Sequence, residues 1–176
     1  MKCIAFAAST SSTSINRKLV NVAASLLRNE RPDAAIEVLD LRDYPMPMYS
    51  EDEQREHGIP DAAHELLGKI SSADMLIVSL AEHNGSYAAA YKSAFDWMSR
   101  VSQRVFDGKR VLALSTSPGQ RGGASVLAAF TASAPFFGAE VVGSLAVPSC
   151  HAVYDENTGI LAADWQAQVA GLVHEL

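Results

Sequence analysis

Met75-Leu76-Ile77-Val78-Ser79-Leu80 is a run of six residues without a charge, a proline or a glycine. It has the length of a strand, and it lacks the alternation that would leave one face polar. It therefore predicts a strand covered on both faces, as in a parallel sheet with helices above and below. Working outward, Lys2–Ala7, Ala35–Leu41, Val111–Ser115 and Glu140–Val147 read as four further strands. Helical spacing of apolar residues marks Asn16–Arg28, with Leu19, Val20, Ala23, Leu26 and Leu27 on one face. Asp61–Ser72, Ser86–Arg100, an Ala-rich segment from Ala124 that Pro135 and Gly138 terminate, and Asp164–Glu175 read as helices too. Asp61 and Asp164 are expected to cap their helices, and Asn84-Gly85 to open the one that follows. Glu51–His57 reads as a charged, solvated stretch, Tyr44–Tyr49 as a loop stiffened by Pro45 and Pro47, and Gly159-Ile160 as a turn.

Strand and helix alternate five times, which predicts an α/β fold: a three-layer, doubly wound, five-stranded parallel sheet formed by one domain over residues 1–176. The chain has the size for it. At 18.8 kDa a folded surface of roughly 8,300 Å² is expected, about 70% of the extended chain's surface being buried. Fourteen basic against twenty acidic residues leave a net charge of −6, which argues against a general nucleic-acid binder or a binder of anionic membranes. No apolar run approaches a membrane span, and no signal-peptide pattern precedes the first strand. Cys3 and Cys150 cannot form a disulfide framework, so a soluble cytoplasmic protein is expected.

In sheets of this class ligands sit beyond the carboxyl ends of the strands, near the switch in strand order. Three loops there are unusual in composition: Ala8–Asn16, Ala81–Ser86 and Ser115–Gly123, after strands one, three and four. The first contains six consecutive hydroxyl residues, Ser9–Ser14, ahead of a helix N-terminus, where free N–H groups and the helix dipole favour an anion. No Asp or Glu occurs before Glu30, and Arg17 and Lys18 fall in a first turn that disfavours cations unless an anion is bound. Neither G-x-G-x-x-G nor a Walker sequence is present, so a monophosphate suits the loop better than a pyrophosphate. A hydroxyl-rich turn capped by Ser14 or Asn16 explains the same residues equally well. The second loop could offer backbone groups to a planar heterocycle or be a plain turn. The third holds Gly119, Gly122 and Gly123, which permit close backbone approach, with Arg121 supplying a charge. The five histidines show no metal spacing, no Gly-x-Ser-x-Gly marks a hydrolase, and Tyr91, Phe95, Trp97 and Met98 fit core or subunit interface better than a cofactor site.

Taken together the loops resemble those of the NADPH-dependent FMN reductases, the flavodoxin-like group that includes quinone, chromate and azo-dye reductases. That family's Gly-Ser-x-Arg-x-x-Ser-x-Asn reads here Ala8-Ser9-Thr10-Ser11-Ser12-Thr13-Ser14-Ile15-Asn16. Its Asp-Leu-x-Asp-Tyr-Pro-x-Pro-x-Tyr reads Asp40-Leu41-Arg42-Asp43-Tyr44-Pro45-Met46-Pro47-Met48-Tyr49. Its Pro-Glu-Tyr-Asn and Lys-Asn-Ala-x-Asp-Trp read Ala81-Glu82-His83-Asn84 and Lys92-Ser93-Ala94-Phe95-Asp96-Trp97, and its Ser-Pro-Gly-x-x-Gly-Gly is Ser117–Gly123. The resemblance implies strand order 2-1-3-4-5 and non-covalent FMN, with Ser9, Ser11, Ser14, Ile15 and Asn16 on the phosphate. It implies Glu82, His83, Asn84 and Gly85 along the flavin ring and Ser117 at its far edge; Arg121 could meet the 2′-phosphate of NADPH. The implied activity is an NAD(P)H oxidoreductase passing hydride to FMN N5 and then electrons to a quinone, flavin, metal-oxyanion or azo acceptor, in a homodimer or homotetramer. No protein residue is assigned to proton transfer. Ser11 stands where the family has Arg, and His83 where it has Tyr. These departures favour the alternative, a flavin-binding electron carrier with weakened FMN affinity.

Overall fold

The computed structural model describes residues Met1–Leu176. Five parallel strands, β1 (Lys2–Ala8), β2 (Ala35–Leu39), β3 (Met75–Leu80), β6 (Arg110–Thr116) and β7 (Glu140–Val147), form the main sheet in the order β2-β1-β3-β6-β7. The two strands skipped in that numbering, β4 (Glu82–His83) and β5 (Ser86–Tyr87), form a small antiparallel hairpin. The order is the flavodoxin-like one expected. β1 pairs with β2 on one side and β3 on the other, so the switch in strand order lies at β1/β3.

Side-chain alternation along the strands sorts the core into two layers. Ile4, Phe6, Leu76, Val78, Leu80, Val111 and Ala113 pack under α3 (Asp61–Ser71), α4 (Ala89–Val101) and α5 (Ala124–Ser133). Cys3, Ala5, Met75, Ile77, Leu112 and Leu114 face α1 (Ile15–Glu30) and α7 (Ala163–His174) on the other side. Tyr91, Trp97 and Met98 of α4 are buried as core, while Phe95 is half-buried and lines an open cleft. The accessible surface is 8343 Å², matching the mass. No helix is long and apolar enough to cross a membrane.

The sequence reading and the structure part at the small elements. Asn84 and Gly85 do not open a helix. With φ of +52° and +76° they form the two-residue turn of the β4–β5 hairpin, the role for which Asn-Gly is best suited, and α4 starts only at Ala89. Glu51–His57 is helical (α2) although nothing in it is buried. Its support is local, with Ser50 accepting from the Glu53 N–H, three acids in the first turn and Arg55 and His57 in the last. Asp61 and Asp164 lie inside the first turns of their helices, and Pro60 and Ala162 hold the cap positions without a side-chain hydrogen bond. After α6 (Cys150–Val153), β8 (Tyr154–Asp155) and β9 (Ile160–Leu161) form a second hairpin, so Ile160 is strand rather than turn.

Candidate active site

The carboxyl ends of β1, β3 and β6 are neighbours in the sheet, so the loops that follow them open on one edge. A cleft of about 310 Å³ lies between them, lined by Ser9, Ser11, Thr13, Ser14, Ile15, Asn16, Ala81, Glu82, His83, Thr116, Ser117 and Pro118. Eight of the eleven residues nominated from sequence therefore meet in one place. Asn84 and Gly85 do not line the cleft; they sit exposed at the hairpin tip. Arg121 is exposed, donates to Ser125 Oγ at 2.9 Å, and does not line it either.

The α1 end of the cleft is built to donate. Ser14 caps the helix by accepting from the Arg17 N–H at 3.2 Å. Ser9 Oγ accepts from the Ser11 N–H at 3.2 Å and Ser11 Oγ from the Thr13 N–H at 3.3 Å. The oxygens of Ser9 and Ser14 are thus used as acceptors, while their hydroxyl hydrogens have no acceptor in the protein. The backbone N–H groups of Ile15 and Asn16, at the first two positions of α1, also lack a partner.

Asn16 does more than sequence reasoning assigned to it. Its side chain is buried and engaged through both polar atoms: Oδ1 accepts from Ser79 Oγ (2.8 Å) and from the Thr116 N–H (3.0 Å), and Nδ2 donates to the Thr116 carbonyl (3.1 Å). Its backbone N–H is left for a ligand. The side chain clamps the start of α1 to the ends of β3 and β6, and so fixes two loops relative to each other. Ser79 and Thr116 were missed as partners. The available signal was Ser79 itself, a hydroxyl inside an otherwise apolar strand that needs a partner once buried. Thr116 in turn donates to the Val147 carbonyl at 2.7 Å.

The third loop is held from within. Ser115 Oγ donates to the Gly122 carbonyl at 2.8 Å. A Cβ on Gly122, at φ +59°, would come within 2.7 Å of the Val147 carbonyl carbon. The close approach that this glycine permits is to β7 and not to a ligand. Glu82 reaches across from the second loop, its carboxylate accepting from the Val126 N–H at 2.9 Å in the first turn of α5. Gly123 precedes that helix without a side chain to cap it, so Glu82 is the cap, supplied from 44 residues away.

The cations of the first α1 turn have carboxylate partners after all. Arg17 pairs with Asp40 beyond β2 and Lys18 with Glu156 in the β8–β9 hairpin, so the acid-free first 29 residues are neutralised by the rest of the chain rather than by an anion alone. The two cysteines offer no nucleophile: both are buried and free, and burial pushes the Cys3 thiol up to about 12 and raises that of Cys150. No group of His, Cys, Asp and Glu is arranged to hold a metal ion.

The family model described as NADPH-dependent FMN reductase matches residues 1–153. The chain belongs to that family. Membership brings FMN and a nicotinamide dinucleotide as cofactors and oxidoreduction as the activity. The chain is 30% identical over 152 residues to a Mycoplasma pneumoniae protein described as the uncharacterized protein MG342 homolog, covering 82% of this chain and 86% of that one. It is 32% identical over 122 residues to the NAD(P)H-dependent FMN reductase PA1204 of Pseudomonas aeruginosa, 69% and 63% of the two chains. It is 37% identical over 79 residues to the quinone reductase of Escherichia coli, a match spanning 45% of this chain and 42% of that enzyme. Among solved structures, the flavoenzyme NAD(P)H:(acceptor) oxidoreductase FerB of Paracoccus denitrificans superposes with a TM-score of 0.74 at 23% identity, over 98% of this FMN reductase family chain and 93% of FerB. At that identity the superposition shows the fold, which is shared.

Proposed function

We propose that the cleft holds FMN and that the chain is an FMN-dependent NAD(P)H oxidoreductase acting on a small-molecule acceptor of the quinone, flavin, metal-oxyanion or azo type. The observation that carries this is the donor set at the start of α1. Two unpartnered backbone N–H groups and two undirected hydroxyl hydrogens converge at one end of a cleft in a family whose cofactor carries a phosphate. These residues fit the group: a phosphomonoester needs donors, Glu82 is occupied at α5, and Asp40, the carboxylate beside Ser9, Ser11 and Ser14, is paired with Arg17 and Arg42. Ser9, Ser14 and the amides of Ile15 and Asn16 would hold the phosphate, with Ser11 beside them. Glu82, His83 and Ser117, on the two loops beyond, would flank the ring, the first two through the backbone of a strand pinned in a hairpin.

When bound, FMN would supply the two-electron redox chemistry at its N5, and Ser9, Ser14, Ile15 and Asn16 would bind and orient it. What the chain supplies is rigidity. The Asn16–Ser79–Thr116 hydrogen bonds keep the Ser9–Ser14 loop and the Ser117 loop in fixed register, so a single buried network would position the two ends of the cofactor.

The reading extends to residues 1–176 as one flavin-binding unit, in a cytoplasmic homodimer or homotetramer. Light scattering of the purified chain measures the oligomer. The decisive experiment is titration of flavin-stripped protein with FMN, followed by flavin fluorescence, and then addition of NADPH and a quinone. One FMN per chain with steady NADPH oxidation is the expected result. Absence of binding overturns the reading. Binding without turnover supports instead the electron carrier, which the replacement of a family arginine by exposed Ser11 favours.

A further inference from the structure

A second cleft, of about 410 Å³, lies between the Leu41–Met48 stretch and the first turns of α4. Thr10, Arg42, Tyr44, Met46, Met48 and Ala90 are among its walls. It shares the phosphate loop with the first cleft: Ser9 and Ser11 face one side, and Thr10 lines the other. The Thr10 N–H and hydroxyl make no hydrogen bond within the protein. The opposite wall is preformed. The Pro47 carbonyl accepts from Trp97 Nε1 at 2.8 Å and from Ser93 Oγ at 3.2 Å, and the Tyr49 N–H donates to Ser93 Oγ at 2.9 Å, so the loop is fixed to α4.

Arg42 stands in this cleft as a cation with capacity to spare. Its Nε and Nη2 engage Asp40 at 3.0 and 2.6 Å, and its Nη1 has no partner. Arg17 binds the same carboxylate. Two guanidinium groups share the Asp40 carboxylate, and Asp43 also acts on Arg42, so the cluster is close to neutral in a chain of net −6. The two arginines hold the Asp40 carboxyl well below the usual carboxylate range, Arg42 being the stronger influence, so both pairings persist across the physiological range. An apolar cleft with an aromatic ring and thioethers on its walls, hydroxyl and amide donors at one side and a guanidinium with free N–H groups suits a planar heterocycle bearing a phosphomonoester.

Resting on the flavin reading of the neighbouring cleft, we infer that this second cleft receives the 2′-phosphoadenosine end of the nicotinamide donor, with Arg42 and Thr10 reading the 2′-phosphate that NADPH has and NADH lacks. Arg121, the candidate from sequence, lines neither cleft and is engaged with Ser125.

The test is calorimetric titration of the FMN-loaded chain with 2′,5′-ADP, 5′-AMP and inorganic phosphate. FMN occupies the α1 site, so binding of these probes reports elsewhere. We expect 2′,5′-ADP to bind more than about tenfold tighter than 5′-AMP or phosphate, and Arg42→Gln to reduce that preference to about twofold or less, with Arg42→Lys between them. The kcat/KM ratio of NADPH over NADH should fall toward one in Arg42→Gln. The Arg42 side chain contacts only Asp40 by hydrogen bond, and Asp40 retains Arg17, so the variant keeps its fold. Equal affinities for 2′,5′-ADP and 5′-AMP in the unaltered chain overturn the inference, as does a preference that survives Arg42→Gln. Preference for inorganic phosphate alone identifies a simple anion site and overturns it too. Should FMN fail to load, the same titration on the FMN-free Ser14→Asp chain, whose α1 site is blocked by its own carboxylate, still separates the outcomes. Binding of 2′,5′-ADP that depends on Arg42 keeps this cleft while the flavin reading falls, and no such binding removes both.

Discussion

Helices α1 and α5 both begin at the carboxyl edge of the sheet, both follow a small-residue loop, and neither has an acid in its first turn. Their N-termini are nevertheless treated in opposite ways. At α5 a carboxylate is already present, because Glu82 accepts from the Val126 N–H while the Ala124 N–H turns back to the Arg121 carbonyl. At α1 the cap is a neutral serine, the amides of Ile15 and Asn16 are open, and the nearest carboxylate, Asp40, is taken up by two arginines. A helix dipole attracts an anion wherever no resident anion answers it. The difference supports the proposal of α1 as the binding end and α5 as structure, which glycine content alone would have reversed.

The largest expected effect breaks the frame on which α1 is mounted. Asn16→Ala leaves the Thr116 N–H and carbonyl and the Ser79 hydroxyl buried without partners. At about 1–3 kcal/mol for a buried group left unsatisfied, and with partial relaxation, a loss of about 2–4 kcal/mol follows. Thermal unfolding should show a midpoint roughly 5–15 °C lower, and FMN binding should be lost with the register of the two loops.

Next come two substitutions that move FMN affinity in opposite directions. Ser11→Arg places a guanidinium at the family position and should tighten FMN by about 1.5–3 kcal/mol, roughly tenfold to a hundredfold. Ser14→Asp caps α1 as well as serine does and is favoured by the dipole, so the flavin-free chain should be at least as stable. Yet it installs the anion that the site is built to receive, and FMN affinity should fall by more than about tenfold. A variant that gains stability while losing its ligand is what the contrast with α5 demands. If Ser14→Asp binds FMN normally, the phosphate is not at α1.

Glu82→Ala tests the other helix. It removes the carboxylate from α5 and should cost about 1 kcal/mol of stability in urea unfolding, the ordinary worth of a cap. Its effect on FMN should stay smaller than that of Ser14→Asp, because it removes a carboxylate away from the proposed phosphate end, whereas Ser14→Asp installs one at it.

The main sheet and the three loops were legible because they are local signals: an uninterrupted apolar run at Met75–Leu80, hydroxyls at Ser9–Ser14, glycines after Pro118. The roles within the site were not. Asn16 meets Ser79 and Thr116 across separations of 63 and 100 residues, Glu82 reaches Val126 across 44, and Arg17 reaches Asp40 across 23. No periodicity records such pairings, since they depend on which strand ends become neighbours in the sheet. Asn84-Gly85 is a different kind of miss. The dipeptide is a hairpin signal in its own right, and the flanking strands of two residues each are too short to show alternation.

The smallest effect is expected at Arg121. By sequence it is the one cation in the glycine-rich loop and a natural partner for a phosphate. In the structure it lies on the α5 side, exposed, with Nη2 on Ser125 Oγ four residues along. An exposed guanidinium outside the cleft is screened by water and contributes little to a bound anion. Arg121→Ala should therefore leave FMN affinity and the NADPH-over-NADH ratio within about twofold, while Arg42→Gln shifts the second and Ser14→Asp the first. A large loss on Arg121→Ala would place the anion at α5, and the Glu82 carboxylate would then have to leave Val126 to admit it. That movement would show as a fall in α5 amide protection on ligand binding, where a ligand seated at α1 leaves those amides as they are.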